Sequence, residues 1–250
     1  MFSRMCSLDT RSVDRTRLRG AHSAPRSFAH VLRRAGAAAL LLAAACRQPA
    51  PPPRLSPLLA AAERAPDVFR VRFETTRGSF VVEAHRAWAP LGADRFHQLA
   101  RLGYYDGTRI FRVVDGFMAQ WGISGVPAVA EAWRDRRIAD DSVVQSNRRA
   151  RVTFATSGPN SRTTQIFVNY RDNAFLDGRG FAPFGEVVDG MDVVDNLWRS
   201  YGDASPSGRG PDQDRIYREG EAYLAREFPR LERVLAARVE GVPATTPPAR

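Results

Sequence analysis

The chain has 250 residues, and its formal net charge of +10 comes from 37 arginines set against 27 carboxylates, because lysine is absent throughout. That absence excludes a Walker A phosphate loop, a Ser-x-x-Lys acylase and any lysine Schiff base. Both cysteines, Cys6 and Cys46, lie in the first fifth of the chain, which excludes a disulfide framework, a cysteine zinc site and a thiol nucleophile from the main body; His85 and His97 sit in no metal-ligand spacing.

Residues 35–45 form an uncharged apolar run directly preceded by Arg33-Arg34 and directly followed by Cys46. Spanning a bilayer takes about 20 residues, so this run is too short to cross and suits the hydrophobic region of a signal peptide. Residues 1–46 are therefore expected to be an export leader. Ala44 and Ala45 ahead of Cys46 resemble a bacterial lipoprotein signal, in which the cysteine is lipidated, although Ala43 stands where leucine is usual. Plain Ala-x-Ala cleavage is the competing reading, and a start further along, such as Val31, would leave a leader of ordinary size. Without residues 1–46 the chain keeps 29 arginines against 25 carboxylates, so most of the basicity belongs to the leader. The expected location is periplasmic, with the membrane reached only through a lipid on Cys46, at the outer membrane.

Residues 47–57 are nearly half proline and predict a polyproline II tether within a linker over 47–66. A domain is expected over 67–240. Phe69, Val71 and Phe73 alternate with charged residues, Gly78 punctuates, and Phe80, Val82 and Ala84 resume the alternation, which predicts a β-hairpin. Pro90 at a first helical position, with Ala93, Phe96 and Leu99 at helical spacing before Gly103, predicts a helix over about 90–102. Short apolar runs follow at 109–114, 117–120, 151–156, 165–169 and 184–188, and a second helix is expected over about 191–199. Many short strands with two helices point to a closed or nearly closed β-barrel. Residues 202–213, rich in Gly, Ser, Pro and Asp, read as a loop, and 213–226 as a further helix. Residues 231–239 fit strand and helix alike, and 241–250 reads as a disordered tail.

Three stretches taken together resemble the cyclophilin-type peptidyl-prolyl cis–trans isomerases. They are Phe111-Arg112-Val113-Val114-Asp115-Gly116-Phe117-Met118-Ala119-Gln120; Phe154-Ala155-Thr156-Ser157-Gly158-Pro159-Asn160-Ser161 with Thr164-Gln165-Ile166-Phe167; and Phe175-Leu176-Asp177-Gly178 leading to Phe184-Gly185-Glu186-Val187-Val188-Asp189-Gly190. The resemblance covers about 68–200. It implies a mainly β fold, an eight-stranded antiparallel barrel capped by two α-helices, here with an extra C-terminal helix. It also implies that Arg112 is the catalytic group, since the amide nitrogen that loses conjugation on twisting gains a lone pair for a guanidinium N–H. Phe117, Met118, Phe167 and Leu176 would form the proline socket. Gln120 and Gln165 would bond the substrate backbone, Ala155 and Thr156 would offer the strand edge, and Phe175 stands where many relatives have tryptophan.

The reaction makes and breaks no bond to substrate, so no cofactor and no metal is expected. The expected partners are proline-containing polypeptide clients, met by a monomer. Departures from the family pattern are Trp121, which replaces the first glycine of Gln-Gly-Gly and is expected to narrow or reshape the groove mouth, and Phe181, which takes the space of a late histidine. Trp121 and Thr156 keep a second reading open, a catalytically weak peptide-binding or chaperone module. The turns at Asp177-Gly178 and Gly158-Pro159-Asn160 are expected to have no chemical role. Carboxylates intervene in the arginine runs at 134–137 and 148–151, and no aromatic residues interleave for stacking, so nucleic acid is not an expected partner.

Overall fold

The computed structural model describes residues 63–241. The leader with Cys46, the polyproline stretch at 47–57 and the tail beyond Gly241 lie outside the described residues.

The hairpin forms as expected. β1 (Val68–Thr75) pairs antiparallel with β2 (Gly78–His85), Phe73 opposite Phe80. β1 buries every second residue, which is the period a half-buried strand requires. Packing begins ahead of β1: Ala65 is buried, and its N–H donates to Asp94 at 2.8 Å. α1 (Pro90–Arg101) starts with proline at its first turn and lays Ala93, Phe96 and Leu99 on the sheet. β3 (Arg112–Val114) and β4 (Met118–Trp121) form a second hairpin, and β5 (Arg151–Phe154), β6 (Ile166–Asn169) and β7 (Pro183–Asp189) complete the middle of the sheet.

With β8 (Val234–Val239), the strands make one eight-stranded antiparallel sheet in the order β3-β4-β6-β5-β7-β2-β1-β8. The sheet curls until its ends meet: Ile110 N–H donates to Glu232 at 2.9 Å, Gly107 N–H to Val234 at 2.8 Å, and Val234 N–H to Thr108 at 2.9 Å. The ambiguity at 231–239 is thus resolved as strand, because β1 offers an open edge on which Val239 pairs with Val71.

Three helical expectations change. A helix unforeseen from sequence, α2 (Pro127–Arg134), buries Val129, Ala130 and Trp133. The second cap, α3 (Met191–Asp195), ends four residues early, although Val194 and Leu197 still enter the core. Asp177-Gly178 is no hairpin turn but part of a 3-10 helix over Ala174–Arg179, where Asp177 accepts from the Asn147 backbone at 2.9 Å and its amide at 2.8 Å. Its role is to tie the loop ahead of β5 to the site wall.

α4 (Gln213–Glu227) begins at Asp212, whose side chain accepts from Arg215 N–H at 2.8 Å. Its Ile216, Tyr223 and Leu224 bury against Phe111, Ile123, Ala130 and Leu231, a small core separate from the barrel interior. α4 therefore packs on α2 and on the strand hairpin that carries Arg112.

Candidate functional site

Strand alternation decides which way β3 and β4 aim their side chains. Met118 and Gln120 share one face, while Ala119 and Trp121 share the other. Trp121 is fully buried in the barrel core, edge-on to Phe73 at 5.6 Å and to Phe80 at 5.9 Å. It does not line the groove, so the expected narrowing of the mouth is overturned. The glycine that follows is required by geometry: Gly122 has φ +112°, and a Cβ there would collide with the Thr164 carbonyl.

On the outer face lies a groove of about 580 Å³ that brings together all ten sequence-predicted binding and catalytic residues of the domain. Its apolar floor is Met118, Phe167 and Leu176, all buried, with Phe117, Ala155 and Phe181 half-buried around them. Phe181 closes one side edge-on to Phe167 at 5.9 Å, filling the wall where a histidine was missing. Phe175, 53% exposed, stacks on Phe117 at 5.9 Å and makes the rim. Asn173 fixes the Phe117 loop by donating to the Phe117 carbonyl at 3.0 Å.

Beside this floor runs a chain of polar side chains. In the β3–β4 ladder Arg112 is opposite Gln120, and its Nη1 donates to Gln120 Oε1 at 2.9 Å. Gln120 Nε2 donates to Gln165 Oε1 at 2.7 Å, and Gln165 Nε2 donates to the Tyr217 hydroxyl at 3.4 Å. At the other end Arg112 meets Asp203, Nε to Oδ1 at 2.5 Å and Nη2 to Oδ2 at 3.3 Å. Partial burial works to raise the Asp203 carboxyl, but the hydrogen bond and charge of Arg112 outweigh it and hold its pKa below the ordinary value. The carboxylate is therefore ionised at neutral pH. Burial, only partly opposed by the bond from Gln165, pushes the Tyr217 hydroxyl up, so it stays protonated.

The far wall comes from Ala155 and Thr156 after β5, together with α2 and α4. Ala155 N–H donates to the Gln165 carbonyl at 2.9 Å, which continues the ladder to the groove edge. The Thr156 hydroxyl turns back onto Ser161 at 2.7 Å and the Gly158 carbonyl at 2.5 Å, so its side chain holds the 156–161 turn. Arg134 lies over the Tyr217 ring at 4.6 Å and pairs with Asp214 at 2.7 Å. Below them Arg95 is buried, with no carboxylate partner among the described residues. It donates to the carbonyls of Arg136 at 2.6 Å and Thr163 at 3.0 Å, under the Trp133 ring. Burial pushes the Arg95 pKa down to about 10, so it remains charged at neutral pH.

Two residues of the network were not foreseen from sequence, Asp203 and Tyr217. Asp203 lies 91 positions from Arg112 in a stretch whose composition reads only as loop. Tyr217 follows the buried Ile216 on a helix whose packing face alone was legible. The groove can hold a small saturated ring on its floor while presenting a guanidinium and two amides along one side. No cluster of three or more His, Cys, Asp or Glu suited to a metal ion occurs among the described residues, and none of their helices is long and apolar enough to cross a membrane.

Comparison with known proteins agrees with this geometry. The family model described as cyclophilin type peptidyl-prolyl cis-trans isomerase/CLD matches residues 70–218. The chain is 35% identical over 136 residues to the peptidyl-prolyl cis-trans isomerase cyp18 of Streptomyces antibioticus, covering 51% of this chain and 81% of that protein. It is also 35% identical over 135 residues to peptidyl-prolyl cis-trans isomerase B of Escherichia coli (strain K12), covering 51% of this chain and 82% of that protein. A crystal structure of a Cryptosporidium parvum cyclophilin type isomerase superposes with a TM-score of 0.51 at 19% identity, over 70% of this chain and 99% of that one. A second structure of that isomerase, obtained in the presence of the dipeptide Ala-Pro, gives a TM-score of 0.50 over 69% of this chain.

Proposed function

The chain belongs to the cyclophilin-type peptidyl-prolyl cis–trans isomerase family, and from that premise we propose that Arg112 drives the rotation of X-Pro bonds in exported client proteins. Rotation about such an amide faces a barrier of about 18–20 kcal/mol, because the C–N partial double bond must be given up. The enzyme helps by holding the twisted state better than either planar one. With the proline ring seated on Met118, Phe167 and Leu176, the carbonyl side of the bond turns while the ring stays fixed. The nitrogen then becomes pyramidal and accepts a hydrogen bond from Arg112. Gln120 and Gln165 hold the client backbone on either side of the bond.

The observation that carries this reading is the placement of the Arg112 guanidinium, 5.9 Å from the Phe117 ring at the lip of the apolar floor. Of its five N–H donors, three are taken by Asp203 and Gln120, which leaves two for a substrate. Protease-coupled isomerisation of a proline tetrapeptide tests the reading. Catalysis by the wild type is expected, and a wild type that binds the peptide without accelerating its isomerisation would favour the weak peptide-binding module instead. That alternative drew on Trp121 and Thr156, and the burial of Trp121 in the core removes half of its support.

The location is part of the same proposal. Residues 1–46 direct export to the periplasm, and a lipid on Cys46 tethers the monomeric domain to the outer membrane through the polyproline linker. Fractionation of cells carrying Cys46→Ser is expected to move the protein from the membrane pellet to the soluble periplasm. An unchanged distribution would argue against the lipid.

A further inference from the structure

Asp203 sits outside the strands that build the groove, in the turn after α3, yet it makes the two-point contact that Arg112 receives from that side. We propose that Asp203 is a positioning residue for the isomerisation, setting the plane and reach of the Arg112 guanidinium toward the prolyl nitrogen. The proposal rests on the reading of Arg112 given above.

Gln120 alone supplies one neutral acceptor at one guanidinium nitrogen, and a planar group held at a single point remains free to swing. A carboxylate engaging Nε and Nη2 together matches the arginine fork at two points and fixes its plane. The two contacts hold different nitrogens, so the plane is fixed while one donor each on Nη1 and Nη2 is left over. The Arg112 side chain is 25% exposed and that of Asp203 32%, which leaves the pair only partly open to water.

The turn carrying Asp203 is itself anchored at the right place. The Gly202 carbonyl accepts from Val113 N–H at 3.3 Å, one residue after Arg112, so the loop is bonded to the strand whose side chain it holds. The Asp203 carbonyl accepts from Gly210 N–H at 2.8 Å, and Asp203 Oδ1 also accepts from Ala204 N–H at 2.7 Å. A Cβ on either Gly208 or Gly210 would run into the Asp203 backbone, so the glycines of this stretch permit the tight packing that places the carboxylate.

The same contacts allow a plain structural role for Asp203 as a turn residue, and the experiment separates the two. Steady-state kcat and KM are measured on the proline tetrapeptide for the full chain, Asp203→Asn, Asp203→Glu, Arg112→Ala and the double variant Arg112→Ala/Asp203→Asn. Asparagine keeps the bond to Ala204 but loses the charge and one acceptor for the fork. It is expected to lower kcat by about tenfold with KM changed less than about twofold. The double variant is expected to be no slower than Arg112→Ala alone, because Asp203 acts through Arg112. Asp203→Glu is expected to recover part of the kcat that Asn loses.

Wild-type kcat in Asp203→Asn would overturn the proposal, as would losses that add in full in the double variant, the mark of a structural effect. Should Asp203→Asn unfold, the Glu variant decides: a folded Asp203→Glu whose loss adds in full to that of Arg112→Ala in the double variant Arg112→Ala/Asp203→Glu overturns it. An Arg112→Ala enzyme at wild-type rate would instead overturn the reading of Arg112 itself.

Discussion

Arg112→Ala is expected to lower kcat/KM for a proline tetrapeptide by about 10²- to 10³-fold, which corresponds to about 2.7–4 kcal/mol of lost transition-state stabilisation. The size follows from comparison with other preorganised donors aimed at charge that develops only in the transition state, whose removal costs a similar factor. The prolyl nitrogen has no available lone pair in either planar ground state, so Arg112 binds it only when the amide is twisted. Its loss should therefore appear mainly in kcat. Folding should change little, since the part-exposed Asp203 can be met by water and Gln120 keeps the bond its amide donates to Gln165. Arg112→Lys makes the sharper comparison. If a positive charge were enough, lysine would restore activity; if the flat fork matters, the lysine enzyme should remain close to the alanine one. A melting temperature close to that of the wild type beside a large loss of rate is the expected pair of results. Full activity in Arg112→Ala would leave the family fold standing and remove its assigned mechanism.

The parts of the site legible in the sequence were those set by local pattern. The β1–β2 hairpin could be read because its apolar period is two, and the floor residues because the motifs place Met118 on β4, Phe167 on β6 and Leu176 in the short 3-10 helix. Even the direction of Trp121 was implicit there: if Met118 and Gln120 line the groove, the residue after Gln120 must face the core. What could not be read were contacts between distant segments. Asp203 meets Arg112 only because the sheet curls and the turn after α3 bonds back to β3. The six residues of β8 match two periods equally well, and only an unpaired edge on β1 chooses between them. α2 had a proline start and Val129 and Trp133 at helical spacing, but what they bury against is the barrel core, while Ala130 meets α4, nearly ninety residues later.

The largest expected effect on stability lies away from the groove, at Asp141. Ala89, the residue capping α1, contributes no side-chain acceptor, so the first N–H groups of that helix need a partner from elsewhere. Asp141 supplies it, accepting from Leu91 N–H at 3.0 Å and Gly92 N–H at 2.8 Å. The same carboxylate meets Arg162 Nη1 at 3.0 Å, and both side chains are nearly sealed from water, at 3% and 2% exposure. Arg162 also donates to the Ala139 carbonyl and lies 3.3 Å from Asp140, which is a third exposed. In Asp141→Ala the guanidinium would stay buried with only the partly solvated Asp140 as counter-charge, and two helical N–H groups would be orphaned. Breaking such a buried pair costs about 3–5 kcal/mol, and losing the cap adds about 1 kcal/mol. In a domain of this size each kcal/mol lowers the melting temperature by about 2–4 °C, so a fall of about 10–15 °C is expected. Asp140→Ala should cost about 1 kcal/mol or less, its carboxylate being a third exposed. Urea unfolding of the two variants side by side decides the matter, and equal midpoints would sink the argument. Removing both charges in Asp141→Ala/Arg162→Met should recover much of the loss, because the penalty comes from the stranded guanidinium rather than from any great net strength of the pair.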